Sequence, residues 1–329
     1  MNVVTLANGR SFTAERGVSI LDAALAAGLV LEHSCRTGRC GSCKSRLTSG
    51  STVLLRDESS LSAEEIADRW ILTCTREAES SVALDIEDLS ALAGITPKIL
   101  PCRISAIATL APDVVRVELR LPPSAGFALL AGQYVDVIGP LGIKRSYSVA
   151  SDMRTPDKIE LHIRQVDGGA MSDYWFKEAK VNDLLRFRGP LGTFFLRESA
   201  GLELVFLATG TGYAPVQAML KQLDTLERSA WPASTRVFWG ARSSRDIYSE
   251  PTACTQNFKF TPVLSRADAT WAGARGHVQD VLLAEQPDFA NAVVYACGSS
   301  TMIGSARTAL TAAGLSPNRF YADAFVSSN

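Results

Sequence analysis

The sequence is short of histidine, of long apolar runs and of net charge, and each shortage narrows the chemistry. Its three histidines, His33, His162 and His277, stand far apart in 329 residues, so no acid–base triad is evident. No apolar stretch approaches the ~20 residues that cross a bilayer as a helix. The opening MNVVTLANGR lacks a basic stretch followed by an apolar run, so no signal peptide is expected. The charges cancel to −1, which leaves no strong pull toward nucleic acid or an anionic membrane. Seven cysteines without an export signal point to a reducing cytoplasm, where structural disulfides are rare. With 47% hydrophobic residues, the chain can still bury two or three cores.

Cysteine is scarce but ordered. Cys35, Cys40 and Cys43 stand as Cys-x4-Cys-x2-Cys in one loop, and Cys74 follows thirty-one residues later. This is the spacing of a plant-type [2Fe–2S] cluster, four thiolates on two irons. Zinc also takes four thiolates, but usually from two Cys-x2-4-Cys pairs, and here the fourth cysteine is alone. Gly38 and Gly41 let the loop wrap tightly and aim backbone N–H groups at the sulfurs. Cys102, Cys254 and Cys297 are by default small buried hydrophobes. Residues 1–95 hold nine Lys and Arg against thirteen Asp and Glu, yet Arg36, Arg39, Lys44 and Arg46 crowd the cluster loop. They form either a solvated rim or a docking patch for an acidic partner that takes the electron.

Three segments follow from patterning. Residues 1–92 read as a β-grasp domain. It has strands at 3–6 and 11–14 around the Asn8-Gly9 turn, and a helix over SILDAALAAG ending at Gly28. Further strands are expected at 45–47, 71–74 and 82–86, with a helix opened by Ser62 and Glu65. Residues 88–100 read as a linker. Residues 99–200 carry short alternating strands (114–121, 134–138, 146–150, 160–165) punctuated by Pro and Gly, the signature of an antiparallel barrel. Residues 201–329 alternate strands (204–207, 236–239, 293–296) with Gly turns and helices, a doubly wound α/β nucleotide-binding pattern. The fold class is thus multidomain α+β.

Two motifs in the barrel suit a flavin. Arg145-Ser146-Tyr147-Ser148 alternates along a strand, so Arg145 and Tyr147 share one face, a cation for a diphosphate and a ring for an isoalloxazine. Ser148 could hydrogen-bond near the reactive flavin nitrogen. Gly168 to Ser172 precedes the helical stretch SDYWFKEA, and free N–H groups at a helix start suit a pyrophosphate. In the last segment Gly210-Thr211-Gly212-Tyr213-Ala214-Pro215 links the strand VFLA to a helix, again a place for a pyrophosphate. It is not the GxGxxG of the dehydrogenase fingerprint.

Taken together, these motifs resemble the ferredoxin–NADP reductase superfamily, in the subgroup with a plant-type ferredoxin at the N-terminus. The resemblance spans essentially the whole chain in the right motif order. It implies FAD on Arg145, Ser146, Tyr147 and Ser148, with its diphosphate on Gly169, Ala170, Met171 and Ser172. His162 and Arg164 join the cofactor contacts. The nicotinamide nucleotide falls to Gly210, Thr211, Gly212, Ala214, Pro215, Gly240 and Arg242, and to the Cys-Gly segment Cys297, Gly298, Ser299 with Met302. Cys297 would shape hydride transfer beside the nicotinamide and Phe325 would lie against the flavin ring, with Ser148 and Cys297 as the catalytic pair.

NADH is favoured over NADPH because Gly240-Ala241-Arg242, with Asp246 and Tyr248, resembles NADH-using oxygenase reductases. Ser265-Arg266 sits where NADPH-specific relatives place a Ser-Arg pair. The implied activity is electron transfer from NAD(P)H through FAD and the [2Fe–2S] cluster to a one-electron acceptor. That acceptor is expected to be the terminal component of a multicomponent aromatic-ring oxygenase. The alternative is a pyridoxamine-phosphate and iron–sulfur dehydrase of CDP-deoxysugar synthesis.

Overall fold

The computed structural model describes residues 1–33, 36–92, 94–152, 154–155, 157–255 and 257–325. The chain divides into two compact units, Met1–Thr96 and Pro97–Asn329.

The first unit is a β-grasp. Its five-stranded sheet runs in the order Ser11–Ala14, Asn2–Thr5, Val82–Asp85, Lys44–Ser49, Trp70–Leu72. Asn2–Thr5 and Val82–Asp85 pair in parallel, and the other neighbours are antiparallel. Helix Ile20–Ala26 buries Ile20, Leu21, Ala23 and Ala24, and Gly28 then turns the chain at φ +75°. Helix Ala63–Ala67 starts where Ser62 and Glu65 satisfy each other's backbone N–H groups, as their spacing expects. The strand foreseen at 71–74 ends at Leu72, which leaves Cys74 in a turn.

In the second unit, an antiparallel sheet runs in the order Lys144–Ser148, Tyr134–Ile138, Leu184–Leu191, Lys98–Ala111, Val114–Arg120, Lys158–Arg164. A bridge between Val149 and Leu161 joins its two edges, so the sheet closes as a barrel. Its core holds Ile104, Val117, Leu119, Val135, Val137, Leu161 and Phe187. The stretch read as a linker is structured at both ends. A 3-10 turn covers Ser90–Leu92 and the first barrel strand already begins at Lys98. The helix foreseen after Ser172 also differs. One α turn at Ala170–Asp173 passes into a π-helical turn, Tyr174–Glu178.

The unit continues into a wholly parallel sheet in the order Ala274–Arg275, Phe258–Leu264, Ser234–Ala241, Glu203–Thr209, Ala292–Ser299, Phe320–Phe325. Helices Tyr213–Leu223, Val278–Ala284 and Ser300–Ala312 accompany it. The central strands bury both faces, with Phe206, Phe238, Trp239 and Tyr295 fully enclosed, as parallel sheets require. Strand order reverses beside Glu203–Thr209, and the carboxyl ends there are where such sheets bind ligands.

Candidate functional site

The cysteine cluster is built in the first unit. Cys43 and Cys74 are buried at 2% exposure each, and their sulfurs lie 3.3 Å apart. The Thr73 N–H and hydroxyl both donate to the Cys43 carbonyl, at 3.0 and 3.3 Å, which fixes the turns of Cys43 and Cys74 together. Gly38 and Gly41 take φ of +81° and +72°, left-handed backbone that glycine adopts without strain. Cys40 is exposed, and Cys35 lies outside the described residues. The close Cys74 sulfur, together with burial, pushes the Cys43 thiol far above its usual range. Buried thiols this close ionise only against a positive charge, so the donor set fits an iron–sulfur cluster.

Of the cations around this loop, Arg36 is ion-paired with Asp22. Lys44 is paired with Glu65 at 2.5 Å, and Arg46 donates through Nε to the Asp68 carbonyl at 3.3 Å. The patch is therefore less positive than four cations in a row suggest.

The flavin motif lies on the barrel's edge strand. Arg145 is exposed and reaches the carbonyl of Lys144 at 2.8 Å. Ser146 donates to Asp136 at 2.6 Å. The half-buried Tyr147 accepts the indole N–H of Trp175 at 3.0 Å, edge to face with that ring. Burial pushes the Tyr147 phenol up to about 12. Trp175 belongs to the π-helical turn that follows Gly169–Ser172, so one short segment carries the diphosphate motif and braces the aromatic one. The Ser172 hydroxyl accepts from Val166 N–H at 2.8 Å. Because the α turn is four residues long, it has little macrodipole to offer an anion. A cation on Arg145 and bare backbone at Gly169 remain, and they fit a flavin nucleotide.

The nucleotide motifs meet in a cleft of about 510 Å³ at the carboxyl ends of the parallel strands. Arg164, Gly210, Thr211, Gly240, Arg242, Gly298, Ser299, Met302 and Phe325 line it, together with Asp246 and Ser265. A Cβ at Gly210 would strike the Arg164 guanidinium, and one at Gly212 would overlap the Cys297 carbonyl. Gly210 takes φ +54° and Gly212 meets another backbone, so both positions favour glycine. Trp239 holds it from behind, donating its indole N–H to the Gly210 carbonyl at 3.0 Å. Arg164 is ion-paired through Nε with Asp113 at 2.8 Å and turns the rest of its guanidinium to the bare backbone of the open cleft, which suits a dinucleotide pyrophosphate. Ala214 and Pro215 are buried in the following helix, and so support the loop without lining the cleft.

Three polar groups converge between the barrel and the parallel sheet. Ser148 Oγ lies 3.4 Å from Asp323 Oδ2, across 175 residues of sequence. Cys297 Sγ lies 4.0 Å from the same oxygen. Burial of the carboxyl pushes Asp323 up to about 6, with the Ser148 hydroxyl pulling the other way. Burial and the neighbouring Asp323 hold the Cys297 thiol neutral, far above its usual range. The sequence motifs contain Ser148 and Cys297 but give no hint of Asp323. Sheet register supplies it, because Asp323 pairs with Cys297 in the last two strands.

His162 points elsewhere. Its Nε2 meets Glu160 at 2.8 Å and its Nδ1 meets the Tyr248 hydroxyl at 3.1 Å. Gln217 donates to the same Glu160 oxygen at 2.7 Å, and Lys221 stands 3.7 Å from the other. Burial alone would raise Glu160, but these donors outweigh it and hold the carboxyl at about 2. This network fastens the barrel to helix Tyr213–Leu223.

A cysteine-rich β-grasp, a closed barrel with an Arg-x-Tyr-Ser strand and a parallel nucleotide sheet define a flavin-dependent reductase that carries its own iron–sulfur centre. Comparison with known proteins agrees. The 2Fe-2S iron-sulfur cluster binding domain family matches residues 4–79. The oxidoreductase FAD-binding domain family matches 101–196, and the oxidoreductase NAD-binding domain family 206–308. The chain is 40% identical to the CDP-6-deoxy-L-threo-D-glycero-4-hexulose-3-dehydrase reductase of Yersinia pestis, over 100% of this chain and 99% of that protein. It is 31% identical to the terephthalate 1,2-dioxygenase reductase component 1 of Comamonas, over 97% and 95%. The crystal structure of the Amycolatopsis cytochrome P450 reductase GcoB superposes with a TM-score of 0.70 at 28% identity, covering 99% of each chain. The chain belongs to the ferredoxin–NAD(P) reductase superfamily, among its members with an N-terminal [2Fe–2S] domain. It is an NAD(P)H-dependent oxidoreductase that passes electrons through FAD and a [2Fe–2S] cluster to an acceptor.

Proposed function

We propose that this reductase delivers single electrons to a dehydrase of CDP-deoxysugar synthesis. The observation that carries this reading is the 40% identity, end to end, to a CDP-hexulose dehydrase reductase, against 31% for a dioxygenase reductase component. The terminal component of an aromatic-ring oxygenase is the second reading, and relatives of that type at 31–32% identity support it. Anaerobic mixing of the NADH-reduced protein with each purified acceptor separates the two. Fast reoxidation by the dehydrase alone is expected, and fast reoxidation by an oxygenase alone would overturn the choice.

In this reading the division is 1–92 for the cluster, 99–200 for FAD and 201–329 for the nicotinamide nucleotide. Cys35, Cys40, Cys43 and Cys74 hold the cluster. Bound FAD supplies the step from hydride to single electrons. Arg145 and the Gly169–Ser172 turn hold its diphosphate, and Tyr147, braced by Trp175, packs on its ring. Arg164 and the Gly210–Gly212 loop hold the nucleotide pyrophosphate, while Gly240 and Arg242 face its adenosine half. Phe325 closes the cleft beside Ser299 and Met302. Cys297 shapes the nicotinamide end as a neutral thiol. Asp323 Oδ2 accepts from Ser148 Oγ and orients that hydroxyl beside the Cys297 thiol. NADH is the donor in this reading, because Asp246, whose carboxylate accepts from Ser243 at the cleft wall, adds negative charge there and disfavours a 2′-phosphate. The acceptor docks near Arg36, Arg39, Lys44 and Arg46. With Asp22 and Glu65 already neutralising two of these, docking depends only weakly on salt.

A further inference from the structure

Glu58 and Arg76 lie in the cluster unit, outside the four-cysteine motif. The Glu58 side chain is 4% exposed and that of Arg76 is 18% exposed. Glu58 Oε1 accepts from Leu72 N–H at 3.1 Å, from the Thr75 hydroxyl at 2.8 Å and from Arg76 Nε at 2.9 Å. Its Oε2 accepts from Arg76 Nη2 at 2.7 Å. All these donors belong to five consecutive residues with Cys74 at their centre. The paired contact to Arg76 is the fork geometry that suits guanidinium and carboxylate best.

The loop that carries Glu58 also grips the three-cysteine segment. Ser60 donates to the Gly38 carbonyl at 3.1 Å and Arg56 to the Arg36 carbonyl at 3.4 Å. Gly38 lies so close to the Asp57 carbonyl and to Thr75 that a Cβ there would collide with both. One carboxylate thus ties the loop over Gly38 to the chain on both sides of Cys74.

A half-buried pair differs from a fully exposed one. Removing one partner leaves an uncompensated charge in a medium of lower dielectric than water. A cluster that takes up an electron gains a negative charge, and its potential follows the net charge and hydrogen bonding around it. We propose that the Glu58–Arg76 pair positions Cys74 and sets the reduction potential of the cluster, an inference that rests on the four cysteines holding that cluster.

The test is a potentiometric titration of the cluster in the full-length holoprotein. Iron and sulfide content and the [2Fe–2S] spectrum of the wild type come first, and their absence would fail the ligand reading rather than this one. Glu58→Gln leaves a cation beside the cluster and should raise the midpoint. Arg76→Gln leaves an anion and should lower it. Each shift should be several-fold in the one-electron equilibrium, tenfold being about 59 mV. The double variant should return near the wild-type value. A merely structural tie would move both single variants the same way. That result, or unmoved midpoints, overturns the proposal. If Glu58→Gln loads no iron, Arg76→Gln decides alone, since the carboxylate keeps its bonds to Leu72 and Thr75. A lowered midpoint supports the pair's role, and an unchanged or raised one ends it.

Discussion

The cluster site and the nucleotide cleft are assembled in opposite ways. The first unit brings Cys43 and Cys74 together from a loop and a nearby turn, and a half-buried ion pair closes the two together. The cleft draws on strand ends that stand far apart in sequence, and Ser148 reaches Asp323 only because a barrel and a parallel sheet fold against each other. A local site tolerates change elsewhere in the chain and fails when its own loop is cut. A distributed site depends on the joint between its parts, here the Glu160–His162–Gln217 network. Electron transfer through the molecule needs both, so each can be broken while the other is read out.

Cys43→Ser gives the largest effect. It should abolish the cluster and reduce delivery to a one-electron protein acceptor to background, while flavin content and NADH–ferricyanide activity survive. Loss of flavin together with iron would show that the two sites are not separable. Arg145→Ala breaks the other side of the comparison. It should weaken flavin retention about ten- to a hundredfold, from the ~1.5–3 kcal/mol of a charge-assisted contact, with iron content unchanged. Flavin content after dialysis decides it.

The joint is tested by acid. The folded-state Glu160 value, about 2, lies below its ordinary 4.5, so its stabilisation is complete above the unfolded value and is lost as pH falls from about 5 toward 2. A shift of this size corresponds to ~3 kcal/mol. Glu160→Gln should therefore unfold at lower denaturant near pH 7 and lose most of that difference near pH 2, read by flavin release and circular dichroism. Equal destabilisation at both pH values would remove the charge network from the account.

Asp323 sharpens the comparison further. Its raised value near 6 means that it is protonated below that pH and charged above it, among Ser148, Cys297 and Tyr134. Flavin reduction by NADH should show an inflection near pH 6 that Asp323→Asn flattens. An unaltered profile would place the titrating group elsewhere. The smallest effect belongs to Arg266→Ala. With NADH as donor, kcat/KM should stay nearly unchanged. A wild-type preference for NADPH that this change abolishes, at ~1.5–3 kcal/mol, would reverse the nucleotide assignment.

Much of this was legible in the sequence because it is local. The Asn8-Gly9 turn, the Ser62–Glu65 capping box and the Cys35–Cys43 spacing each sit within a short stretch, and Gly210 and Gly212 mark a loop whose crowding the fold then explains. The features that escaped depend on distant partners. Strand Phe258–Leu264 contains Pro262, a residue that argues against a central strand. Pro101 likewise hides the start of the long Lys98–Ala111 strand. Trp175 carries no signal within the stretch SDYWFKEA, and its role shows only in the N–H it donates to Tyr147. Asp323 has no motif of its own and becomes a site residue only through its register with Cys297. Nothing in the spacing of Glu58 and Arg76 signals a pair, since they meet across a loop closure.

Electrons entering at the nucleotide cleft reach the [2Fe–2S] cluster through the flavin. Anaerobic reduction of the full-length protein by NADH, followed by flavin absorbance and by electron paramagnetic resonance at low temperature, tests it most directly. Flavin bleaching should be accompanied by the signal of a reduced [2Fe–2S] cluster, and Cys43→Ser should keep the bleaching and lose the signal. A wild-type protein whose flavin bleaches fully while its cluster stays oxidised would contradict it.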